Sequence, residues 1–409
     1  CPVLAGEEGA RRARQSGSAA ARRRWLDFIA WYNGAWLRFV PRLVGVIREF
    51  YPKTPMIVSV GYGSERLVWG NDNSALPKVA RRHRFALQTP GNVPNFVLKR
   101  VSTPCHFHGV PYYTEPPGDV SPNLEVRRLF YDIANGVQVY FDYLRNLDRA
   151  RGQVRAIKQH MTGQQPIVDL ALMCPMVQHR LSAGDHNFPE QAYMLGETGR
   201  DRFDFDTVDE QLIADGALAR YRVLAWNQGG VSEAETLRAV GRWVAEGGTL
   251  VTGDIEVETV EGDRTLWRQL NPPTTPLRTV RPGARWDWDR VAAACVKRVG
   301  KGAVIRVPLA EHDVAAMTEV VEHAAHHLSR LVPGLRDGVL IDGAADRITA
   351  VRLPDRLLYY NDTDLTIVKT LTFRPADWEK ASWHPDPWHQ ELTIPPHSIR
   401  AIVGKSSAQ

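Results

Sequence analysis

The first clear pattern in the sequence is a series of apolar residues at helical spacing. Over residues 25–51 they recur every three or four positions, which predicts a long amphipathic helix. The pattern includes Trp25, Phe28, Trp31, Trp36, Phe39, Leu43, Val46, Ile47 and Phe50. Pro41 lies inside it, and a proline lacks the N–H that a helix interior needs, so we expect a kink or a division there.

Short apolar runs then alternate with helical segments. The runs predict strands at 56–60, 85–89, 110–114 and 137–142, and helices follow at 123–135 and 145–160. This alternation is typical of a parallel sheet built from β-α units. The first strand has no phosphate-binding loop after it, which favours a (β/α)8 TIM barrel over an open nucleotide-binding sheet. A complete barrel needs about 250 residues, so residues 25–162 predict only its C-terminal half, four βα units.

A second α/β region covers residues 164–335. Its predicted strands lie at 167–173, 221–226, 249–252 and 304–307, with helices at 233–246 and 313–331. Ser232 is the predicted N-cap of the first helix, with Glu235 completing a capping box. The order predicts a three-layer, flavodoxin-like domain, the fold that class I glutamine amidotransferases also use. Residues 337–405 change to short alternating strands at 348–353, 356–360, 367–373 and 390–394, which predict a small β-sandwich.

Charge and composition remove several classes of function. The net charge is +5, of which residues 1–24 contribute +4 through six Arg and two Glu. We interpret these residues as a disordered basic segment, and the nearly neutral remainder argues against nucleic-acid binding. No run of 18 apolar residues predicts a membrane span. The chain starts at Cys1 without a signal-peptide pattern, so we expect the C-terminal part of a longer protein.

The four cysteines form no C-x-x-C pair, which favours a reducing compartment, and we expect a cytoplasmic protein. Cys174 tests the amidotransferase interpretation, which needs a cysteine on a sharp strand-to-helix turn. It has no flanking G-x-C-x-G elbow, and a buried thiol is favoured. His106 and His108 would share one face of a strand, a spacing found in metal sites, but no further ligand lies nearby. His323 and His327 lack the Glu of H-E-x-x-H. We predict no metal site.

Three stretches resemble family-42 β-galactosidases. Tyr112-Tyr113-Thr114-Glu115, before Gly118, is similar to the strand end that carries that family's nucleophile. Residues 127–141 are similar to the helix and eighth strand that follow it. Residues 220–252 are similar to part of the family's trimerisation domain. The order of domains adds to this resemblance more than any single motif.

The resemblance implies a retaining glycoside hydrolase that forms a covalent glycosyl-enzyme, with Glu115 as nucleophile, a carbohydrate substrate, no cofactor and a homotrimeric assembly. It also implies an acid/base, normally an Asn-Glu pair on the fourth barrel strand. Residues 1–112 contain no Asn-Glu pair. Without the acid/base, the chain as given is expected to be inactive as a glycosidase, and the alternative is a non-catalytic sugar-binding or assembly relative that lacks the acid/base.

Other residues near the predicted strand ends are candidates for substrate binding. Tyr62 and Trp69 lie in the loop after the first strand, and Tyr113 precedes Glu115. Tyr140 and Asp142 share one face of the last barrel strand, although ordinary packing explains them as well. Trp69 offers a platform for a sugar ring, or an anchor for its own loop. Glu65 is a candidate replacement acid/base, but a surface ion pair with Arg66 is favoured.

Overall fold

The computed structural model describes residues 18–61, 63–91, 93–115, 118–140, 142–182, 186–271, 286–335, 348–372 and 389–403. Mixed α/β structure with parallel sheets is confirmed. The described helices are α1 (Ala19–Phe50), α2 (Leu76–His83), α3 (Asn95–His108), α4 (Pro122–Ala134), α5 (Leu144–Arg149), α6 (Arg151–Ile157), α7 (Met176–Leu181), α8 (Glu190–Gly199), α9 (Glu210–Ala214), α10 (Ala234–Glu246), α11 (Thr265–Leu270), α12 (Trp288–Cys295), α13 (Val314–His326) and α14 (Leu328–Leu331).

The strands fall into five sheets. They are β1 (Ile57–Ser59), β2 (Ala86–Pro90), β3 (Tyr112–Glu115), β4 (Val139–Tyr140), β5 (Leu170–Met173), β6 (Asp206–Val208), β7 (Val223–Trp226), β8 (Gly230–Ser232), β9 (Thr249–Thr252), β10 (Val257–Thr259), β11 (Val296–Val299), β12 (Gly302–Arg306), β13 (Ile348–Leu353), β14 (Arg356–Asn361), β15 (Ile367–Thr372), β16 (His389–Ile394) and β17 (Ser398–Val403). Among the described helices, none combines the length and apolarity that a membrane crossing requires.

The first sheet contains four parallel strands in the order of the chain, β1-β2-β3-β4. All four predicted strands are present; β1, β3 and β4 are shorter than their predicted runs, and β2 is shifted by one residue. Since parallel strands in sequential order bring their carboxyl ends to one edge, the residues that end β1 to β4 lie along the same edge of this sheet.

Helix α1 is one continuous helix of 32 residues that contains Pro41. It begins at Ala19, so residues 19–24, which we expected to be disordered, are helical. The predicted division at Pro41 is wrong. Part of its apolar stripe stays exposed, including Trp31, Phe39 and Phe50.

Helix α3 joins the first sheet to the second region, and the sequence analysis missed it. Its Leu98, Val101 and Cys105 pack in the core of the first sheet. Phe96 and Val97 pack in the core of the second sheet. All residues from Asn95 to His106 are buried, including the polar Lys99 and Arg100, so this helix has no water-facing side, the usual mark of a surface helix.

The second sheet has six strands in the order β11-β12-β9-β7-β5-β6. All its pairs are parallel except β11 with β12. Its faces alternate along each strand, and β5 places Leu170 and Leu172 in one core and Ala171 and Met173 in the other. Helices cover both faces, as buried parallel strands require.

Helix α10 differs from the prediction at its N-terminus. Ser232 ends strand β8 and is not an N-cap; the cap position is Glu233, whose side chain makes no capping hydrogen bond. The apolar stripe of α10 lies in the core of its own region, with Leu237, Val240, Trp243 and Val244 all buried. That stripe is therefore not a surface for a partner subunit.

The last residues form antiparallel sheets, as the alternating pattern predicted. Strands β13, β14 and β17 make one sheet, and β15 pairs with β16. Tyr360 of β14 stacks on Phe130 of α4, with ring centroids 5.2 Å apart. This contact ties the antiparallel part to the helix behind the first sheet.

Candidate active site

Glu115 is the last residue of β3, at the carboxyl end of the first sheet. Its side chain is half-buried, and its register partner in β2 is Pro90. Gln88, two residues earlier in β2, donates a hydrogen bond from Nε2 to Glu115 Oε2 at 3.0 Å. One carboxylate oxygen is thus held in place by the side chain of the neighbouring strand.

Arg128 of α4 lies directly behind this strand end, with a fully buried side chain. Its guanidinium donates to the Glu115 carbonyl oxygen at 3.3 Å and to Thr114 Oγ1 at 3.4 Å. Three carboxylates surround it: Asp142 at 2.6 Å, Glu125 at 3.5 Å and Asp132 at 3.7 Å. Arg128 therefore fixes the backbone of Glu115 against α4 and the residues after β4.

Gly91, at the end of β2, makes room for this arginine. A Cβ atom at this position would lie 2.1 Å from Arg128 Nε, which no real contact allows. The Gly91 N–H also donates to the Glu115 carbonyl oxygen at 3.1 Å. The absence of a side chain lets the guanidinium cross the strand end.

Asp142, which we predicted to touch substrate, is instead part of this cluster. Its Oδ2 accepts from Arg128, and its Oδ1 accepts from Asn146 Nδ2 at 2.9 Å. The side chain has no exposed surface. Asp142 positions Arg128 and does not face a ligand.

The remaining predicted residues of this edge divide into three cases. Tyr113 is half-buried, beside Gln88 in the register of β2 and β3. Tyr140 occupies β4 opposite Thr114, but its side chain lies outside the described part of the chain, as does the whole of Tyr62. Tyr112, the first residue of β3, is buried and hydrogen-bonds Thr89.

Trp69 lines a cavity of about 500 Å³ between the loops of the first sheet and the second region. Trp69 is 49% exposed, so its side chain is accessible to a ligand. The other lining residues are Ser64, Val93, Pro94, Val97, His186, Asn187, Phe188, Glu190, Tyr193 and Met194. Aromatic faces beside a few polar groups are the usual composition of a small-molecule site.

Glu65 is not the surface residue that we favoured. Its carboxylate is buried and accepts two hydrogen bonds from Arg100, at 2.8 Å from Nε and 2.7 Å from Nη2. Arg100 also donates to Asp209 of the second region at 3.2 Å. Glu65 therefore joins the two regions, and its predicted surface pairing with Arg66 is wrong.

The histidine and cysteine hypotheses can also be judged. His106 and His108 belong to helix α3, so they do not share a strand face. Burial lowers the pKa of His106 to about 4. Within the described residues, no cluster of His, Cys, Asp and Glu has the arrangement of a metal site. Cys174 is fully buried, and this burial raises the pKa of its thiol well above the ordinary value. The buried-thiol interpretation is confirmed.

Asp132, beneath the strand end, is expected to make stability depend on pH. Burial raises the pKa of Asp132 to about 7 from an ordinary 3.8, despite the nearby Arg128. The folded state therefore holds this proton more tightly than the unfolded state does. The contribution of protonated Asp132 to the free energy of unfolding is complete below about pH 4 and is lost as the pH rises to about 7. The change is on the order of 4 kcal/mol.

Asp132→Asn should flatten that dependence. Guanidinium titrations at pH 4.5 and pH 8 are expected to show a smaller loss of stability in the variant than in the wild type. Asp148→Asn is the control, because Asp148 is exposed at the surface. Parallel pH profiles for Asp132→Asn and wild type would contradict this role.

Comparison with solved structures places the fold. The β-galactosidase from Bacillus circulans sp. alkalophilus matches with a TM-score of 0.59 and 10% identity, over 92% of this chain and 67% of that one. The β-galactosidase from the Antarctic haloarchaeon Halorubrum lacusprofundi matches with a TM-score of 0.58 and 12% identity, over 94% and 69%. This chain has a family-42-like glycoside hydrolase fold.

A third solved structure shares this fold. The family-42 exo-carrageenase from Bacteroides ovatus has a TM-score of 0.56 at 8% identity, over 92% of this chain and 56% of that one. Neither a family model nor a curated protein sequence matches the chain. At these identities, the likeness establishes the family-42-like fold, and the chemistry has to be argued from the residues.

Sequence reasoning missed two residues that organise the site, Gln88 and Arg128. A glutamine inside an otherwise apolar strand was a signal for Gln88. For Arg128 the signal was spacing, since Glu125, Arg128 and Asp132 stand at i, i+3 and i+7 on one helix, where such side chains meet. Arg128 lies within residues 127–141, where its own role was not considered because the stretch served to show the family resemblance.

Proposed function

We propose that this chain carries the nucleophile of a retaining, β-galactosidase-type glycoside hydrolase, and that Glu115 is that nucleophile. The observation that supports it most is the position of Glu115. It ends the third of four parallel strands, at the edge where barrel enzymes place their catalytic groups, and its carboxylate is oriented by Gln88.

The chemistry follows from this geometry. A Glu115 carboxylate oxygen attacks the anomeric carbon of the sugar, and the bond from that carbon to the leaving oxygen breaks. Gln88 holds Oε2, which leaves Oε1 available for attack. Water then releases the sugar from the covalent intermediate with net retention of configuration.

The second carboxyl group of the mechanism has to be accessible and protonated when the leaving group departs. Glu65 is buried against Arg100, and Asp142 is buried against Arg128. We therefore assign the acid/base role to neither of them.

The arrangement of the elements supports the finer proposals about the fold. We infer that the segment from α1 to β4 consists of consecutive βα units of a (β/α)8 barrel, since its four strands are parallel and sequential. We infer that the six-stranded region is flavodoxin-like and that the antiparallel sheets form a small β-sandwich. The cavity beside Trp69 is proposed as a sugar-binding surface, in which Trp69 and Tyr193 supply aromatic faces.

Covalent trapping tests the nucleophile directly. The probe is 2,4-dinitrophenyl 2-deoxy-2-fluoro-β-galactoside, because dinitrophenolate leaves without protonation and the reaction does not depend on the acid/base. Release of one equivalent of dinitrophenolate is expected, with one fluorosugar attached to the peptide that contains Glu115. Labelling of another carboxylate would refute the role of Glu115. Absence of any labelling would refute a retaining hydrolase and leave the non-catalytic sugar-binding relative.

We also propose that the chain assembles as a homotrimer through the second region, on the strength of the family-42-like fold. Light scattering at micromolar concentration should give the mass of three subunits. A mass of one subunit would contradict assembly, and a mass of two would keep assembly while rejecting the trimer.

A further inference from the structure

A cleft of about 350 Å³ opens between helices α1 and α2, and positive side chains surround it. Arg38 and Arg42 lie one turn apart on α1, and Lys78 and Arg82 lie one turn apart on α2. These two pairs face each other across the seam, with His83 beside them. The seam is closed beneath the cleft by an apolar contact of both helices, which contains Val40, Val44, Leu76 and Ala80.

The charge of this cleft is not balanced by the protein. No carboxylate lines it. Lys78 pairs with Asp215 outside it, at 2.6 Å. In the described part of the chain, Arg38, Arg42 and Arg82 form no ion pair. Like charges one turn apart destabilise a helix, so the arrangement carries a repulsion that a bound anion would remove.

Helix-end electrostatics explains only half of the cluster. Arg82 and His83 belong to the last turn of α2, where positive charge interacts favourably with the helix dipole. Arg38 and Arg42 lie far from either end of α1. Their convergence on the same cleft needs another reason.

The floor of the cleft is suited to more than a bare ion. Leu37, Pro41 and Val79 provide apolar surface. Such a surface can cover the carbon atoms of a ligand, which a bare ion lacks.

We propose that this cleft binds a phosphate monoester of a small sugar or polyol. The guanidinium groups of Arg38, Arg42 and Arg82 match the oxygens of a tetrahedral dianion. The carbon face of the ligand covers Leu37, Pro41 and Val79. None of the lining residues belongs to the candidate active site or to the cavity at Trp69, so this binding is independent of the proposed hydrolase activity.

Titration calorimetry on the whole chain at low salt tests the proposal with three probes: a hexose 6-phosphate, inorganic phosphate and the uncharged hexose. The phosphorylated hexose should bind most tightly, inorganic phosphate more weakly, and the hexose not at all. Arg38→Gln with Arg42→Gln should weaken binding of the ester at least about tenfold. The control, Arg242→Gln with Arg290→Gln, removes two exposed arginines elsewhere and should leave the affinity unchanged.

Each other result overturns the proposal in a definite way. Equal weakening by both double variants would indicate a response to net charge alone. Equal affinity for inorganic phosphate and the ester would remove the role of the apolar floor. Binding of a long polyanion without the ester would indicate a macromolecular partner. Arg38→Lys with Arg42→Lys keeps the charge and the fold, and it should bind the ester with intermediate affinity, since lysine lacks the forked geometry.

Discussion

Glu115→Gln is expected to abolish covalent trapping by the fluorosugar and to slow release of dinitrophenolate from 2,4-dinitrophenyl β-galactoside at least about 10³-fold, or about 4 kcal/mol of barrier. The substitution is nearly isosteric, and the amide oxygen can still accept the hydrogen bond from Gln88. The reason is chemical: an amide oxygen is a far weaker nucleophile than a carboxylate, so the glycosyl-enzyme cannot form.

The matched control for this experiment is Glu49→Gln, which changes charge by the same amount at an exposed position of α1. It should retain wild-type trapping and rate. Residual activity of Glu115→Gln above about a tenth of wild type would contradict the nucleophile role. Because the dinitrophenyl substrate needs no proton donor, a loss in this assay reports on the nucleophile and not on the acid/base.

Arg128→Met is expected to destabilise the protein by about 3–5 kcal/mol, the cost of leaving buried charges without their partner. Arg128 is the cation at the centre of Glu125, Asp132 and Asp142, and all four side chains are buried. Removing it leaves these carboxylates to repel one another in a medium that cannot solvate them. The thermal midpoint should fall by about 10 °C.

Arg127→Met is the control, since it removes the adjacent arginine of the same helix. Arg127 is 45% exposed and lies 3.7 Å from Asp362, so its loss should cost no more than about 1 kcal/mol. Arg128→Lys retains the charge but not the contacts to Thr114 and the Glu115 carbonyl. Its thermal midpoint should lie between those of Arg127→Met and Arg128→Met. Equal midpoints for Arg127→Met and Arg128→Met would show that the cluster does not hold this edge of the sheet.

The sequence by itself determined the four strands of the first sheet and the place of the nucleophile candidate at the end of one of them. Apolar runs bounded by turn residues placed β1 to β4, and strand β3 ends on Glu115 as its pattern indicated. Helix α10 was also predicted, since its buried apolar residues alternate with exposed polar residues at helical spacing. These features follow from local periodicity, which needs no knowledge of the partners.

The tertiary structure decided which polar groups are buried together. Glu65 looked like a surface residue beside Arg66, yet Arg100 from α3 pairs with it across a contact distant in sequence. Asp142 looked like a substrate contact, yet its carboxylate is paired with Arg128. Helix α3 was missed because its polar residues, among them Lys99, Ser102 and Thr103, are buried against other elements and do not face water. A pattern along the chain records how each residue meets water, whereas the pairing of buried charges depends on which elements meet in space.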